Sequence, residues 1–213
     1  MMAIIKDNTI LCQLELFRNF GIIEDMKKKD AHKTEQIIEA ARAIIIADGA
    51  AAVSTTKVAK QVGIAQSNIY IYFKNKDELL ISVFQHEQAR VKAFFDDHIS
   101  QKGDLTAQLK AYIDAMGELA MTDWDTMAIL EQIKAMPKSP VLTDEALPGS
   151  DQRVQGLMQA GIDAGILKNV DPQLHMTAVF SLVRRYSDLV RNHGYPTDFS
   201  PVRAMIWDAV SAK

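Results

Sequence analysis

The amino-acid sequence predicts an all-α fold. Apolar residues recur three and four positions apart along several long segments, which is the spacing of the buried face of a helix. Glycine, proline and capping residues stand where these segments begin or end. No segment keeps an alternation of period two, and no repeat of fixed length is visible. We therefore expect about nine helices.

Residues 1–25 form an N-terminal extension of the predicted body. Ile10, Leu14 and Phe17 share one face of a helix, and Leu11 lies alongside them. This apolar face would let the segment form an extra helix that packs on the body of the protein or on a partner.

The next clear signal is a short helix that begins after Ser54 or Thr55, either of which can cap it. Its apolar residues fall on one face of the helix and are Val58, Ala59 and Val62. Gly63 supplies the left-handed residue that ends the helix. The chain therefore turns tightly at this glycine.

A second short helix is predicted from about Gln66 to Tyr72. Ile69 and Phe73, four residues apart, lie on its buried side. The other face carries polar and phenolic groups, namely Gln66, Ser67, Asn68, Tyr70 and Tyr72. Such groups suit base edges and phosphates, so the pattern indicates a DNA-reading helix-turn-helix. Helix pairs joined by a glycine turn also occur in plain helical bundles.

The third helix of this unit is predicted to start at Asn75. Glu78 follows three residues later, as in a capping box, and Asp77 and Glu78 favour the positive end of the helix dipole. Lys74 and Lys76 flank this start, where their ammonium groups could bind phosphate. This helix would continue for about twenty-five residues and join the two domains of the protein.

Five further helices follow from the same apolar spacing and end signals. They are predicted at 105–121, 126–136, 151–164, from the Asp171-Pro172 start to Gly194, and from the Ser200-Pro201 start onward. Pro137, Pro140 and Pro148 break the chain within a loop of about a dozen residues. That loop is long for a compact domain and is a candidate pocket entrance.

The segment from about Thr34 to Leu80 resembles the N-terminal domain of TetR-type transcriptional repressors. The resemblance is carried by a first helix EQIIEAARAIIIADGA, by STTKVAKQVGIA and by the run NIYIYFKNKDELL. The tyrosine, aromatic and lysine spacing of the last run is highly specific. The resemblance implies that the helix from Gln66 to Tyr72 enters the major groove, while the helices on either side of it hold phosphates.

When the roles known in the family are carried over by position, the resemblance implies a role for each residue that is expected to contact DNA. Those implied to face bases or nearby backbone are Gln66, Ser67, Asn68 and Tyr70. Those implied to contact phosphates are Thr55, Tyr72 and Lys76. The whole predicted DNA-contacting set is Thr55, Thr56, Lys57, Gln66, Ser67, Asn68, Tyr70, Tyr72, Lys74 and Lys76.

The sequence departs from this family pattern at two positions. Thr56 stands where some relatives have an arginine that reads guanine. Ala65 stands where many relatives have a capping serine, and its loss costs about 1 kcal/mol of helix stability. The recognition helix would therefore depend more on the packing of Ile69 and Phe73.

The resemblance also divides the chain. We expect a DNA-binding domain at 26–80 and a helical domain for effector binding and dimerisation at 81–213. Many such repressors begin like Met26 and the three lysines that follow it. Residues 1–25 are then either an artefact of the assigned start or a real extension.

Charge is distributed in keeping with this division. The whole chain carries a net charge of −3. Residues 26–80 contain nine Lys or Arg against six Asp or Glu, a net +3, whereas 81–213 carry −4. Positive charge is thus concentrated where DNA would dock, and a dimer would double the number of phosphates neutralised.

The composition and residue patterns make a membrane-spanning protein, a secreted protein and an enzyme unexpected. The chain is 48% hydrophobic and 24% charged, has no run of eighteen apolar residues and shows no secretory leader, so we expect a cytoplasmic globular protein. Its one cysteine, Cys12, cannot form an internal disulfide. The five histidines are scattered, and no HExxH, paired cysteines or glycine-rich phosphate loop is present, so neither an enzyme, a metal site nor a cofactor is expected.

The last two helices are the expected dimer surface, because two amphipathic helices from each subunit can close a four-helix bundle with two-fold symmetry. The alternative is that both helices only cover the core of one subunit. The resemblance implies the dimer and a small-molecule effector. The protein is thus expected to be a ligand-responsive repressor that binds a palindromic operator and is released by a small apolar molecule.

Methionine and aromatic residues of the second domain suit an apolar effector pocket, because methionine adapts to irregular shapes. The expected lining is Phe94, Met116, Met121, Trp124, Met127 and Phe180. Each of these residues is equally compatible with a role as core filler. Two alternative functions stay open. One is an architectural DNA-binding protein without an effector, although it would carry more positive charge and no large helical domain. The other, which the sequence favours less, is a helical enzyme.

Overall fold

The computed structural model describes residues 31–100, 103–141 and 152–212. Within these residues the chain forms nine α-helices, one short 3₁₀ helix and no strand, which confirms the predicted all-α class. An isolated antiparallel bridge joins Leu167 to Ser211. The predicted N-terminal extension, the start at Met26, and residues 142–151 of the loop and of the next helix lie outside the described residues.

The helices follow the predicted order. Their bounds are α1 (31–48), α2 (Thr55–Val62), α3 (Gln66–Tyr72), α4 (Lys76–His98), α5 (Leu105–Thr122), α6 (Trp124–Lys134), α7 (Gln152–Asp163), α8 (Pro172–His193) and α9 (Ser200–Val210), with the 3₁₀ helix at Ala50–Ala52. None of the helices in the described ranges combines the length and apolar character needed to cross a lipid bilayer.

The helix-turn-helix forms for the local reasons read from the sequence. The Ser54 hydroxyl accepts a hydrogen bond from the Lys57 backbone N–H at 3.2 Å, which caps α2. Gly63 ends that helix with a φ of 75°, a left-handed conformation that glycine adopts without strain. Ala65 precedes α3 and makes no side-chain cap, as its methyl group dictates.

Two predicted helix starts differ in detail. The Asn75 side chain accepts from the Glu78 backbone N–H at 2.8 Å, but the Glu78 carboxylate accepts from the backbone N–H of Lys74 rather than of Asn75. Ser200, expected as the cap of α9, is instead its first residue. Its backbone N–H donates to Asp198 Oδ1 at 3.0 Å, because the aspartate reaches back over the turn.

Two apolar clusters share the long helix α4. The first joins α1, α2 and α3 to the first half of α4 and to Ile129 and Ile133 of α6. The second joins the last part of α4 to α5, α7, α8 and α9. Phe84 lies in the first cluster with none of its surface exposed, and burial of such a side chain contributes about 1.5–3 kcal/mol. The predicted domain boundary after Leu80 therefore falls inside one continuous helix.

Replacing Asp123 by alanine is expected to lower the free energy of unfolding by about 1 kcal/mol, because its carboxylate caps α6. Burial opposes the charge, but hydrogen bonds from Thr126 and Arg90 hold the pKa of Asp123 below its usual 3.8. A depressed folded pKa means that this stabilisation is present above the unfolded value and is lost as the pH falls through the folded value. Urea unfolding at neutral and acid pH should show the difference from wild type shrinking below about pH 4; a constant difference would contradict this account.

Candidate DNA-contacting surface and internal cavity

The outward face of α3 is polar and accessible. Ile69 has none of its surface exposed and Phe73 only 4%, so these two residues hold the helix against the first cluster. On the opposite face Gln66, Ser67 and Asn68 are exposed, and Tyr70 is 52% exposed. The helix thus presents amide, hydroxyl and phenol groups to solvent, as its sequence pattern indicated.

The start of α2 lies beside this face. Thr55 Oγ1 accepts from Gln66 Nε2 at 3.2 Å and lies 3.4 Å from the Tyr70 hydroxyl. These contacts bring the first residue of α2 and two residues of α3 together, so one surface combines residues that the sequence assigned to phosphates and to bases. Thr56 is exposed beside Thr55.

The predicted cationic groups surround the same unit. Lys76 Nζ donates to the Ala51 carbonyl at 2.9 Å, which places the ammonium next to the 3₁₀ helix before α2. Lys57 Nζ forms an exposed ion pair with Asp48 at 2.8 Å. Lys74 is exposed between α3 and α4. Two of the three lysines therefore have intramolecular partners that a phosphate would replace or share.

The exposure of Tyr72 and Ile71 differs from what the sequence predicted for the contact face of α3. Tyr72 is half-buried and packs against the first cluster, so only part of its side chain is available to a ligand. Ile71 is 73% exposed on α3. If α3 contacts DNA, this isoleucine adds an apolar group of the kind that packs on a thymine methyl.

A cavity of about 270 Å³ lies between α4, α5, α6 and α8. It is close to the lower end of the roughly 300–1,000 Å³ range of small-molecule sites. Its lining is mostly apolar and aromatic and comprises Phe84, Gln88, Val91, Phe95, Tyr112, Met116, Met127, Leu130, Glu131, Lys134, Gln173, Met176, Thr177 and Phe180. Glu131 is ion-paired with Arg184, while Lys134 Nζ lies 5.4 Å from the centre of the Phe84 ring.

Three of the six residues expected at a pocket line this cavity, namely Met116, Met127 and Phe180. The other three are placed elsewhere. Phe94 stacks on His98 with ring centres 3.9 Å apart, Trp124 lies under the Arg191 guanidinium at 5.4 Å, and Met121 is partly buried outside the lining.

Sequence reasoning missed the polar lining altogether. Gln88 shares a helical face with Phe84, Val91 and Phe95, which are spaced at three and four residues along α4. That spacing predicts a helix but does not show which of its faces borders a cavity. The signal that marks the face as a pocket wall is a glutamine among buried apolar neighbours, because a polar group in such a stripe needs a partner.

A second apolar surface lies on the last two helices. Leu174 near the start of α8 is 59% exposed and Met205 of α9 is 51% exposed. Val170, just before α8, is 43% exposed. Each of these side chains keeps about half of its surface in contact with solvent in the single chain, so they are available to a partner.

Comparisons with known proteins show similarity to bacterial regulatory proteins. Residues 37–83 match the family model for bacterial regulatory proteins of the tetR family. The chain is 29% identical over 160 residues to the fatty acid metabolism regulator protein of Bacillus subtilis strain 168, covering 73% of this chain and 82% of that protein.

Solved structures agree with the sequence comparisons. A protein from Lactobacillus plantarum described as a transcription regulator is 37% identical, with a TM-score of 0.70 over 85% of this chain and 99% of that one. FadR from Bacillus subtilis in complex with stearoyl-CoA is 25% identical, with a TM-score of 0.62 over 82% of this chain and 95% of that one.

Proposed function

We propose that this chain, which belongs to the tetR family of bacterial regulatory proteins, is a homodimeric repressor released from a palindromic operator by an acyl-type effector. DNA-binding transcription regulation is the function of the family. The observation that carries the proposal is the exposed polar face of α3, which lies next to Thr55 at the start of α2, a residue expected to contact phosphate. A buried face would have left no surface for base edges.

The effector class is supported by the cavity and by one relative. The cavity wall is mainly methionine, leucine and aromatic side chains, which suit a hydrocarbon chain. Lys134 supplies a cation at this wall, whereas the charge of Glu131 is paired with Arg184. A FadR relative has been solved with stearoyl-CoA. A fatty-acyl group with an anionic or polar head fits this combination.

The mechanism is a coupling between two sites. Phe84 belongs to the first cluster and also lines the cavity, and α6 contributes Ile129 and Ile133 to that cluster and Met127 to the cavity. A ligand that shifts α4 or α6 therefore moves the helix-turn-helix. In a dimer, two copies of α3 must reach major grooves about 34 Å apart, so a change in their separation weakens both contacts. A hundredfold loss of occupancy needs about 2.7 kcal/mol of differential binding.

The test is DNA binding with and without effector. DNA selected from a random pool by the wild-type protein should contain a palindrome, and fluorescence anisotropy should show its release by stearoyl-CoA but not by coenzyme A alone. A Met116→Trp variant, which fills the cavity, should bind the same DNA and resist release. Selected DNA without two-fold symmetry would contradict the dimeric repressor, and equal release by coenzyme A would contradict the acyl specificity.

Lys76→Ala is expected to weaken binding uniformly across operator sequences and to reduce the salt dependence of log K by about one per subunit, because one phosphate contact is lost. Titrations at several salt concentrations measure this slope. Lys110→Ala is the matched control, since Lys110 lies over the Trp207 ring, away from α3. An unchanged slope in Lys76→Ala would remove this residue from the interface.

Leu174→Glu is expected to convert the dimer to monomer, because it places a charge in the apolar surface that also contains Met205. Light scattering after size-exclusion chromatography measures the mass. Ile71→Glu introduces the same change at a residue that is 73% exposed on α3 and should leave the mass unchanged. A Leu174→Glu protein that stays dimeric would place the interface elsewhere.

A further inference from the structure

A cluster of metal-ligating side chains connects α1 to α4, away from the DNA-contacting face and from the cavity lining. Glu35 and Glu39 are one turn apart on α1, and His86 faces them from α4. One ligand atom from each residue lies within 4.8 Å of the others. His86 Nε2 is 3.0 Å from a Glu35 carboxylate oxygen. Two helices, α1 and α4, thus bring an imidazole and two carboxylates to one point.

The contacts of His86 suit a cation at this point. Its Nδ1 is 3.1 Å from Glu87 Oε1, and its Nε2 faces Glu35. A neutral imidazole has one donor and one acceptor nitrogen, so it satisfies only one of two carboxylates. Because Glu87 is fully buried, the Nδ1 proton belongs there, and the Nε2 lone pair then points at Glu35. Metal-bound histidines have this arrangement, with a carboxylate behind the ring.

The charges around the imidazole lead to the same conclusion. Glu35, Glu39 and Glu87 carry three negative charges, and Arg42 supplies one positive charge to Glu39 and Glu87. With a neutral imidazole the group has a net charge of −2. A divalent cation balances all of that charge.

Arg42 leaves room for this cation. Its Nη1 contacts both oxygens of Glu39, at 2.9 and 2.7 Å. A carboxylate has about four lone-pair sites, so Glu39 can hold the guanidinium and still offer one lone pair to a metal. The side chains of Glu35 and Glu39 are about half exposed and can rotate to the roughly 2.0–2.2 Å distances of Zn–O bonds.

We propose that Glu35, Glu39 and His86 bind one divalent transition-metal ion of the Zn²⁺ type, with Glu87 orienting the imidazole. Imidazole combined with carboxylates suits such ions better than Mg²⁺ or Ca²⁺, which prefer oxygen ligands alone. Water completes the coordination on the exposed side. The bound ion would link α1 of the DNA-binding unit to α4.

The test uses the full chain, stripped with chelator and dialysed against Zn²⁺ at neutral pH. Wild-type protein should bind one more ion than His86→Gln and than Glu35→Gln, or bind it at least tenfold more tightly than either variant. His98→Gln is the matched control, because His98 lies on the same helix beside a single carboxylate, Glu118, at 3.6 Å. This control should bind as wild type does.

A further readout and a second variant keep the test decisive. Thermal unfolding followed by circular dichroism should show that Zn²⁺ raises the Tm of wild type and of His98→Gln but not of His86→Gln or Glu35→Gln. If the His86→Gln variant does not fold, Glu35→Gln still tests the site from its exposed side. Equal Zn²⁺ binding by wild type and by Glu35→Gln, or no binding by wild type, overturns the proposal.

Discussion

Replacing Arg42 by methionine is expected to lower the free energy of unfolding by about 3 kcal/mol, because it leaves the buried carboxylate of Glu87 without its cation. Glu87 has none of its surface exposed, and Arg42 is 9% exposed. Arg42 Nη2 donates to Glu87 at 3.3 Å, and its Nε faces the same carboxylate as an ion pair without hydrogen-bond alignment. Methionine keeps most of the side-chain volume, so the loss reports the charge rather than a cavity.

Two groups limit the expected loss. The Thr126 hydroxyl still donates to Glu87 at 2.6 Å, and His86 Nδ1 still faces it at 3.1 Å. Burial alone would lower the pKa of Arg42, but the charge of Glu87 raises it overall, so the guanidinium stays charged in the native protein. Without it, the carboxylate must remain charged in an apolar setting or take up a proton.

The double variant Arg42→Met with Glu87→Met separates these causes. Replacing a whole buried ion pair by apolar groups is often neutral or stabilising, so this protein should recover most of the stability lost by the single variant. Urea unfolding gives both free energies. Arg185→Met, which breaks the exposed pair with Asp188, should cost at most about 0.5 kcal/mol. A cost this small for Arg42→Met would show that Glu87 does not need the arginine.

The sequence was sufficient for local structure because local structure has local causes. Ser54, Gly63, Asn75 and the Asp171-Pro172 pair set helix ends through contacts within a few residues. Each ends or caps its helix as predicted, although Glu78 accepts from Lys74 and so completes only half of the capping box at Asn75. The buried side of α3 follows from the four-residue spacing of Ile69 and Phe73. The start of α6 was placed two residues late because Asp123 was not recognised as its cap.

Contacts between residues that are far apart along the chain could not be predicted from the sequence. Arg42, Glu87 and Thr126 are separated by 45 and 39 residues along the chain, and nothing in their local patterns pairs them. The same holds for His86 with Glu35 and Glu39. The two glutamates could be recognised as one helical face, but the histidine reaches them only through the packing of α4 on α1.

The lining of the cavity could be predicted only in part from the sequence. Met116, Phe180 and Phe94 were all expected at the cavity because of their residue type. Met116 and Phe180 line it, whereas Phe94 stacks on His98 instead. Adjacent phenylalanines on a helix point about 100° apart. Phe95 therefore lines the cavity while Phe94 does not, and residue type alone cannot distinguish them.

Tyr70→Ala is expected to weaken operator binding about a hundredfold while leaving the dimer folded. Tyr70 is 52% exposed on α3, and its hydroxyl is 3.4 Å from Thr55 Oγ1. The variant therefore removes a side chain that is half exposed and that lies beside Thr55, between the residues proposed to face bases and those proposed to contact phosphates. Loss of one such contact costs about 1–3 kcal/mol, and a two-fold dimer loses it twice.

Fluorescence anisotropy with the selected palindrome measures this affinity, and size-exclusion chromatography with light scattering confirms the dimer. Tyr195→Ala is the matched control, because Tyr195 is also 52% exposed but lies between α8 and α9. The stability of both variants should stay within about 0.5 kcal/mol of wild type, as is usual for exposed positions. Since α3 projects its polar face away from the first cluster, a Tyr70→Ala dimer that binds the palindrome with wild-type affinity would mean that this face does not contact the DNA.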